Sequence, residues 1–141
     1  MFSFVPEEEK SLHPAERQRR VNARFPETVS KSPFHLWKPG DMVVTNGTRL
    51  LIGIATYDSV ELKLLDKLAE IVGQKPQSLH VDVFNCLDCQ QQEDFLQYFP
   101  GLTRVYQTPL AGIWIDGTFK EVKTGKFARD LIESAIASAA I

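Results

Sequence analysis

From residue 48 onward the apolar positions switch between two periods. "RLLIGIA" (49–55) is an unbroken apolar run, the pattern of a strand buried on both faces. "DSVELKLLDKLAEIVG" places Val60, Leu64, Leu68 and Ile71 beside Leu65, Ala69 and Val72, a wide stripe at the helical period. Asp58 and Glu61 have the spacing of a capping box at its start, and Gly73 predicts its stop. "SLHVDVF" (78–84) alternates as a second strand, so strand, helix and strand form a right-handed parallel unit. "CQQQEDFLQYF" predicts a shorter helix with Phe95 and Phe99 facing inward, closed by Pro100-Gly101. "LAGIWI" (110–115), Asp116-Gly117 and "TFKEVKT" (118–124) predict a β-hairpin on a two-residue turn. Gly125 precedes a last helix whose apolar face combines Phe127, Leu131 and Ala135 with Ile132 and Ile136. The order β-α-β-α-β-β-α belongs to the α/β class, a mixed β-sheet with helices on both faces.

Residues 1–47 break this pattern and read as an N-terminal extension to a domain at 48–141. Pro6, Pro14, Pro26, Pro33 and Pro39 interrupt it. A helix is predicted in "PAERQRRVNARF", with Pro14 in the first turn and Val21 and Phe25 on one side. Its basic run, Arg17, Arg19, Arg20 and Arg24, reads as a solvated face, or as a dock for an acidic partner. "MVVTNGTRLLIGI" sets Asn46-Gly47 between two apolar runs, a hairpin signal that would add a strand. Phe34 and Trp37 are expected to staple this arm to a core that is complete without residues 1–40.

Composition narrows the function classes. At 141 residues the chain suits one domain. A net charge of −2 lacks the basic footprint of a nucleic-acid binder. No apolar run approaches the roughly 18 to 20 residues that span a membrane. "MFSFVPEEEK" has acids where a signal peptide needs a basic start, so the expected location is cytoplasmic. No glycine-rich phosphate loop is present, and no cofactor is called for. In a reducing compartment the two cysteines, Cys86 and Cys89 in C-x-x-C spacing, point to redox or metal chemistry rather than a structural disulfide.

The element order resembles the core of the thioredoxin-like fold. "LLIGIATYDSVELKLLDKLAEI" looks like that family's first core strand, active-site turn and helix, and "TPLAGIWIDGTFKEVKTG" resembles its stretch from a cis-proline through two antiparallel strands to a glycine. The resemblance covers about residues 48–140 and makes Thr108-Pro109 the cis-proline dipeptide. It breaks at the turn. A thioredoxin carries Trp-Cys-Gly-Pro-Cys there; this chain reads Tyr57-Asp58-Ser59-Val60-Glu61, with Asp58 and Glu61 in the cysteine positions. A carboxylate cannot replace an attacking thiolate. The C-x-x-C stands one unit later, after the second strand, where a parallel sheet brings the carboxyl ends of neighbouring strands to one edge.

Three readings of that edge stay open. In the redox reading Cys86 attacks and Cys89 resolves, with Tyr57, Asp58, Thr108 and Pro109 shaping the groove for a protein or peptide thiol or disulfide partner. Asp88, Glu93 and Asp94 would slow such a thiol by disfavouring its thiolate. In the second reading the chain is a non-catalytic binding module that uses the cis-proline rim. The third is zinc, for which the chain offers one C-x-x-C and the scattered His13, His35 and His80, short of a usual four-ligand set without another chain. Asp58 with Glu61 reads as a helix cap before it reads as an acid–base pair.

Overall fold

Strand β2 (Thr48–Ile54) lies at the centre of a five-stranded sheet. Its six residues from Arg49 to Ile54 are all buried, as the unbroken apolar run requires. The sheet belongs to a computed structural model that describes residues 3–75, 79–102 and 104–139. Residue 78, at the start of the expected second strand, and residues 140 and 141, at the end of the expected last helix, lie outside them. Around β2 run β1 (His35–Leu36), β3 (His80–Asn85), β4 (Leu110–Ile115) and β5 (Thr118–Thr124), in the order β1-β3-β2-β4-β5. β1 and β2 pair parallel to β3, whereas β4 pairs antiparallel to β2 and to β5. Asp116 and Gly117 make the β4–β5 turn at φ 50° and 82°, the left-handed pair that a two-residue hairpin demands.

Three helices cover one face of this sheet: α1 (Pro14–Ser30), α2 (Ser59–Gln74) and α3 (Gly125–Ala139). Val21, Phe25 and Val29 of α1, Leu62, Leu65 and Leu68 of α2, and Ala128, Ile132 and Ile136 of α3 form one buried cluster with Leu50, Ile52, Val81, Val83 and Ala111. The face of α3 is shifted from the expected one: Ala128 is fully buried while Phe127 is exposed. The opposite face carries a second cluster, Trp37, Leu51, Phe84, Phe95, Phe99, Val105 and Leu110. No α-helix covers it among the described residues. The expected second core helix is a 3₁₀ segment at Gln92–Gln97, so helices stand on both faces as expected, with 3₁₀ rather than α-helical geometry on this one. The Asp94 carboxylate takes the N–H groups of Gln90 and Gln91 at 2.9 and 3.0 Å, fixing a tight start, and Pro100 prevents continuation. Gln92 then clamps the returning chain, donating to the Val105 carbonyl at 2.9 Å and accepting from the Val105 N–H.

Phe4, Val21, Phe25, Val29 and Phe34 tie the N-terminal segment into the core. Phe4 packs between Phe25 and Phe34, with ring centroids at 5.8 and 6.3 Å, and all three are buried. The basic run on α1 is largely paired within the chain. Glu16 takes Arg19 at 2.7 Å and Arg20 at 2.8 Å, and the buried Glu9 takes Arg24 at 2.6 and 2.8 Å. The hairpin expected across Asn46-Gly47 is absent: residues 42–45 form no strand, Met42 is exposed, and Gly47 instead bonds Asp116 at the far turn.

On the face opposite the α-helices, Arg49 is buried beside Asp82, its Nε donating to Oδ2 at 2.6 Å while His80 sits 2.9 Å from Oδ1. Its guanidinium lies 5.3 Å from the Trp37 ring and 4.7 Å from the Trp114 ring. Two indole faces thus replace part of the water that a buried cation gives up.

Removing residues 1–40 should abolish the cooperative unfolding transition seen by denaturant titration, and Phe25→Ala alone should cost about 3–5 kcal/mol. A truncated chain that still unfolds cooperatively would return those residues to the status of an arm. Asp82→Ala should cost about 3–5 kcal/mol, because it leaves the Arg49 charge buried and unpaired, while Arg49→Met with Asp82→Leu should recover most of the loss.

Candidate functional site

The carboxyl ends of β2 and β3 and the start of β4 converge on one rim. The Thr108–Pro109 peptide bond at the start of β4 is cis, and Pro109 is buried. Beside it lies a groove of about 310 Å³ whose lining includes Tyr57, Cys86, Leu87, Cys89, Tyr106 and Thr108. The sequence-derived site residues Cys86, Cys89, Tyr57 and Thr108 are therefore brought together, and Pro109 adjoins them. Asp58 stands next to Tyr57 but is engaged elsewhere. Its Oδ1 caps α2, accepting from Val60 N–H at 2.9 Å and Glu61 N–H at 3.2 Å.

Glu61 does not close the reciprocal half of the expected capping box. The Asp58 N–H bonds the Ala55 carbonyl at 2.9 Å, and the Glu61 side chain turns inward. Its Oε1 accepts from the Ala55 N–H at 3.0 Å and its Oε2 from the Thr108 hydroxyl at 2.7 Å. It is only 2% exposed. Burial pushes its pKa from 4.5 up to about 7; the two donated hydrogen bonds oppose that rise without cancelling it, and the nearby Asp58 adds to it. The rim thus contains a carboxyl group that is close to half-protonated at neutral pH. The sequence reads Glu61 as half of a helix cap, and no local pattern marks its inward turn.

The two thiols sit in different surroundings. Asn85 at the end of β3 caps the 3₁₀ turn Cys86–Asp88 through Leu87 N–H at 3.0 Å, and the Cys89 N–H bonds the Cys86 carbonyl at 3.1 Å. A turn closed by such a bond holds its end Cα atoms within about 7 Å of each other. Cys86 is 8% exposed, packed close to Gly53; a Cβ on Gly53 would stand 3.0 Å from the Cys86 sulfur and collide with the Phe84 ring. Cys89 is the more open of the pair. The redox reading takes Cys86 as the attacking thiol; the turn folds it back under β2, and Cys89 is the thiol nearer solvent.

Neither thiol is activated. Burial pushes Cys86 well above its usual range, helped by the charges at Cys89, Glu61 and Asp88. Burial, with Asp94 and Asp88, pushes Cys89 up to about 11. A three-residue 3₁₀ turn supplies too little aligned backbone to lower either one.

Asn22 of α1 was not singled out by any sequence pattern, yet it braces this rim from behind. Its Oδ1 accepts from the Thr56 hydroxyl and from Asn85 Nδ2, both at 2.7 Å, linking the ends of β2 and β3. His13, His35 and His80 are spread over the α1 cap, β1 and β3. Among the described residues no group of three or more His, Cys, Asp and Glu is placed to hold a metal ion. Nor is any helix among them long and apolar enough to cross a membrane.

No protein-family model matches the chain, and no curated protein does. Among solved structures it is similar to a thioredoxin-2 described as a component of malaria parasite protein secretion machinery, at 12% identity over 70% of this chain and 89% of that one, with a TM-score of 0.49. It is also similar to a mutant thioredoxin from Halobacterium salinarum NRC-1, at 16% identity over 78% and 94% of the two chains, with a TM-score of 0.45. A third similar structure addresses thiol resolution in a yeast mitochondrial 1-Cys peroxiredoxin via glutathione/thioredoxin systems, at 14% identity over 66% and 79%, with a TM-score of 0.47. The sheet order β1-β3-β2-β4-β5, the parallel β2-α2-β3 unit and the antiparallel β4–β5 pair followed by α3 give the chain a thioredoxin-like fold.

Proposed function

We propose that this chain reduces disulfides of protein or peptide partners laid in the rim groove, with Cys89 attacking first and Cys86 resolving. The observation that carries this reading is that both thiols line one groove beside Pro109, a single turn apart, with the Glu61 carboxyl bearing on the buried one. The Cys89 thiolate attacks one sulfur of the partner disulfide and expels the other as a thiolate, which takes up a proton. Cys86 then attacks the Cys89 sulfur and expels the second partner thiolate, which takes up the proton that Cys86 gives up. The partner gains two electrons, Cys86 and Cys89 become a disulfide, and an external thiol reductant restores the dithiol. High thiol pKa values leave the reduced pair without thiolate stabilisation, which suits a reductant working in a reducing compartment such as the cytoplasm.

A second reading, a docking module without redox turnover, is favoured by the height of those same pKa values. With Cys89 at about 11, roughly one molecule in ten thousand carries the thiolate at pH 7. Alkylation mapped by mass spectrometry separates the two. Under the first reading Cys89 labels before Cys86, its rate climbs with pH toward about 11, and mild oxidant yields an intramolecular disulfide. If excess oxidant forms no Cys86–Cys89 bond and insulin disulfides are not reduced, the docking reading stands alone.

Glu61 provides an independent check. A carboxyl whose folded pKa is raised binds more protons folded than unfolded, so it lowers stability as pH rises from about 4.5 to about 7. The shift corresponds to about 3 kcal/mol lost across that window. Glu61→Gln keeps an acceptor for Ala55 and should remove this slope from a urea titration series. A slope identical in wild type and variant would show that Glu61 titrates normally.

A further inference from the structure

The rim groove joins aromatic and aliphatic walls to an acidic border. Tyr57, Leu87 and Tyr106 line it and remain 54, 48 and 81% exposed, more apolar surface than a site for a small polar thiol needs. Among the described residues the backbone groups of Tyr106 and Gln107, in the exposed bend before Pro109, make no hydrogen bond and are open to a bound segment. Asp58 adjoins Tyr57, Asp88 lies between the two cysteines, and Glu93 and Asp94 follow the groove residues Gln90, Gln91 and Gln92. None of these four acids forms an ion pair among the described residues, whereas the arginines Arg19, Arg20 and Arg24 of α1 are matched by Glu16 and Glu9. Arg104 stands one residue before the groove residue Val105. The charged side chains that bear on the two sulfurs, Glu61, Asp88 and Asp94, are all acidic.

We propose that this groove selects basic polypeptide segments, in which a lysine or arginine beside the disulfide offsets Asp88 and Asp94 and so activates Cys89 only in the complex. The proposal rests on the thiol-exchange reading and names its substrate class. The cation of the bound segment favours the thiolate at the moment a disulfide is within reach. An anionic disulfide such as oxidised glutathione meets the opposite field and is turned away.

Three probes decide it: a short peptide disulfide flanked by lysines, the same peptide flanked by glutamates, and oxidised glutathione, each mixed with the reduced protein. Formation of the Cys89 mixed disulfide is followed by mass spectrometry. The lysine probe should react at least about tenfold faster than the other two at low salt. The gap should close as salt shortens the Debye length to about 10 Å at 0.1 M, and should narrow in Asp88→Asn. Equal rates, or a faster glutamate probe or glutathione, would overturn the proposal while leaving thiol exchange in place. The second arm titrates the Cys86→Ser, Cys89→Ser protein with cysteine-free versions of both peptides. Preferential binding of the lysine peptide where the wild type performs no exchange would sink the redox reading and keep the charge selection. No exchange and no preference would sink both.

Discussion

The carboxyl group of Glu61 is the tie on which the rim depends. One oxygen holds the backbone where β2 ends and the other holds the hydroxyl that precedes Pro109, so a single side chain fixes the spacing between two neighbouring strands at their functional end. Burying a charge of this kind is expensive unless its lone pairs are used and it can shed the charge. Glu61 does both: it accepts two hydrogen bonds and titrates near neutrality. At the turn after β2, Glu61 is therefore a structural clasp that also carries a titratable proton. Thiol chemistry, if it is to occur on this edge, has to enter from β3.

The two faces of the sheet explain how different the thiols are. Three helices satisfy their own backbone groups and cover one face with side chains alone. The other face is closed by a segment in 3₁₀ turns and loops, whose backbone has to be satisfied by side chains, and Gln92, Asp94 and Asn85 do that work. Such a cover is thin. It buries Cys86 against Gly53 and Phe84 but leaves Cys89 at the margin, so the same three-residue turn gives one thiol to the core and the other to the groove.

How much of this was legible follows from the range of each interaction. β2, α2, β3, the β4–β5 hairpin and α3 are set by local period and turn chemistry, and each is recoverable from its own residues. The Asp58 cap is likewise local. What escaped is long-range. α1 buries only Val21, Phe25 and Val29, a sparse stripe that looks solvated until Phe4 and Phe34 are known to stack beside it. The apolar pair Phe95 and Phe99 suggested a helix, but a carboxylate three positions into the segment captured the backbone first. At the site, the C-x-x-C carried its own signal, while Thr108-Pro109 was marked only through the resemblance. Asn22 carried none, because its role exists only once the ends of β2 and β3 are side by side.

Charge is distributed with a purpose that net charge conceals. The total of −2 is modest. α1 spends three arginines on internal acids, while the acids at the rim find no basic partner among the described residues. An unpaired acidic border costs little in water, since exposed charges are well solvated and screened. It matters only when something desolvates it. A neutral or anionic partner entering the groove would strip water from Asp88 and Asp94 with no return, and would leave Cys89 as inert as it is in the free protein. A cationic partner would replace that water with a counter-charge. The thiol would then be quiet in isolation and responsive in contact, so that selectivity and reactivity at this rim would come from the same electrostatic term.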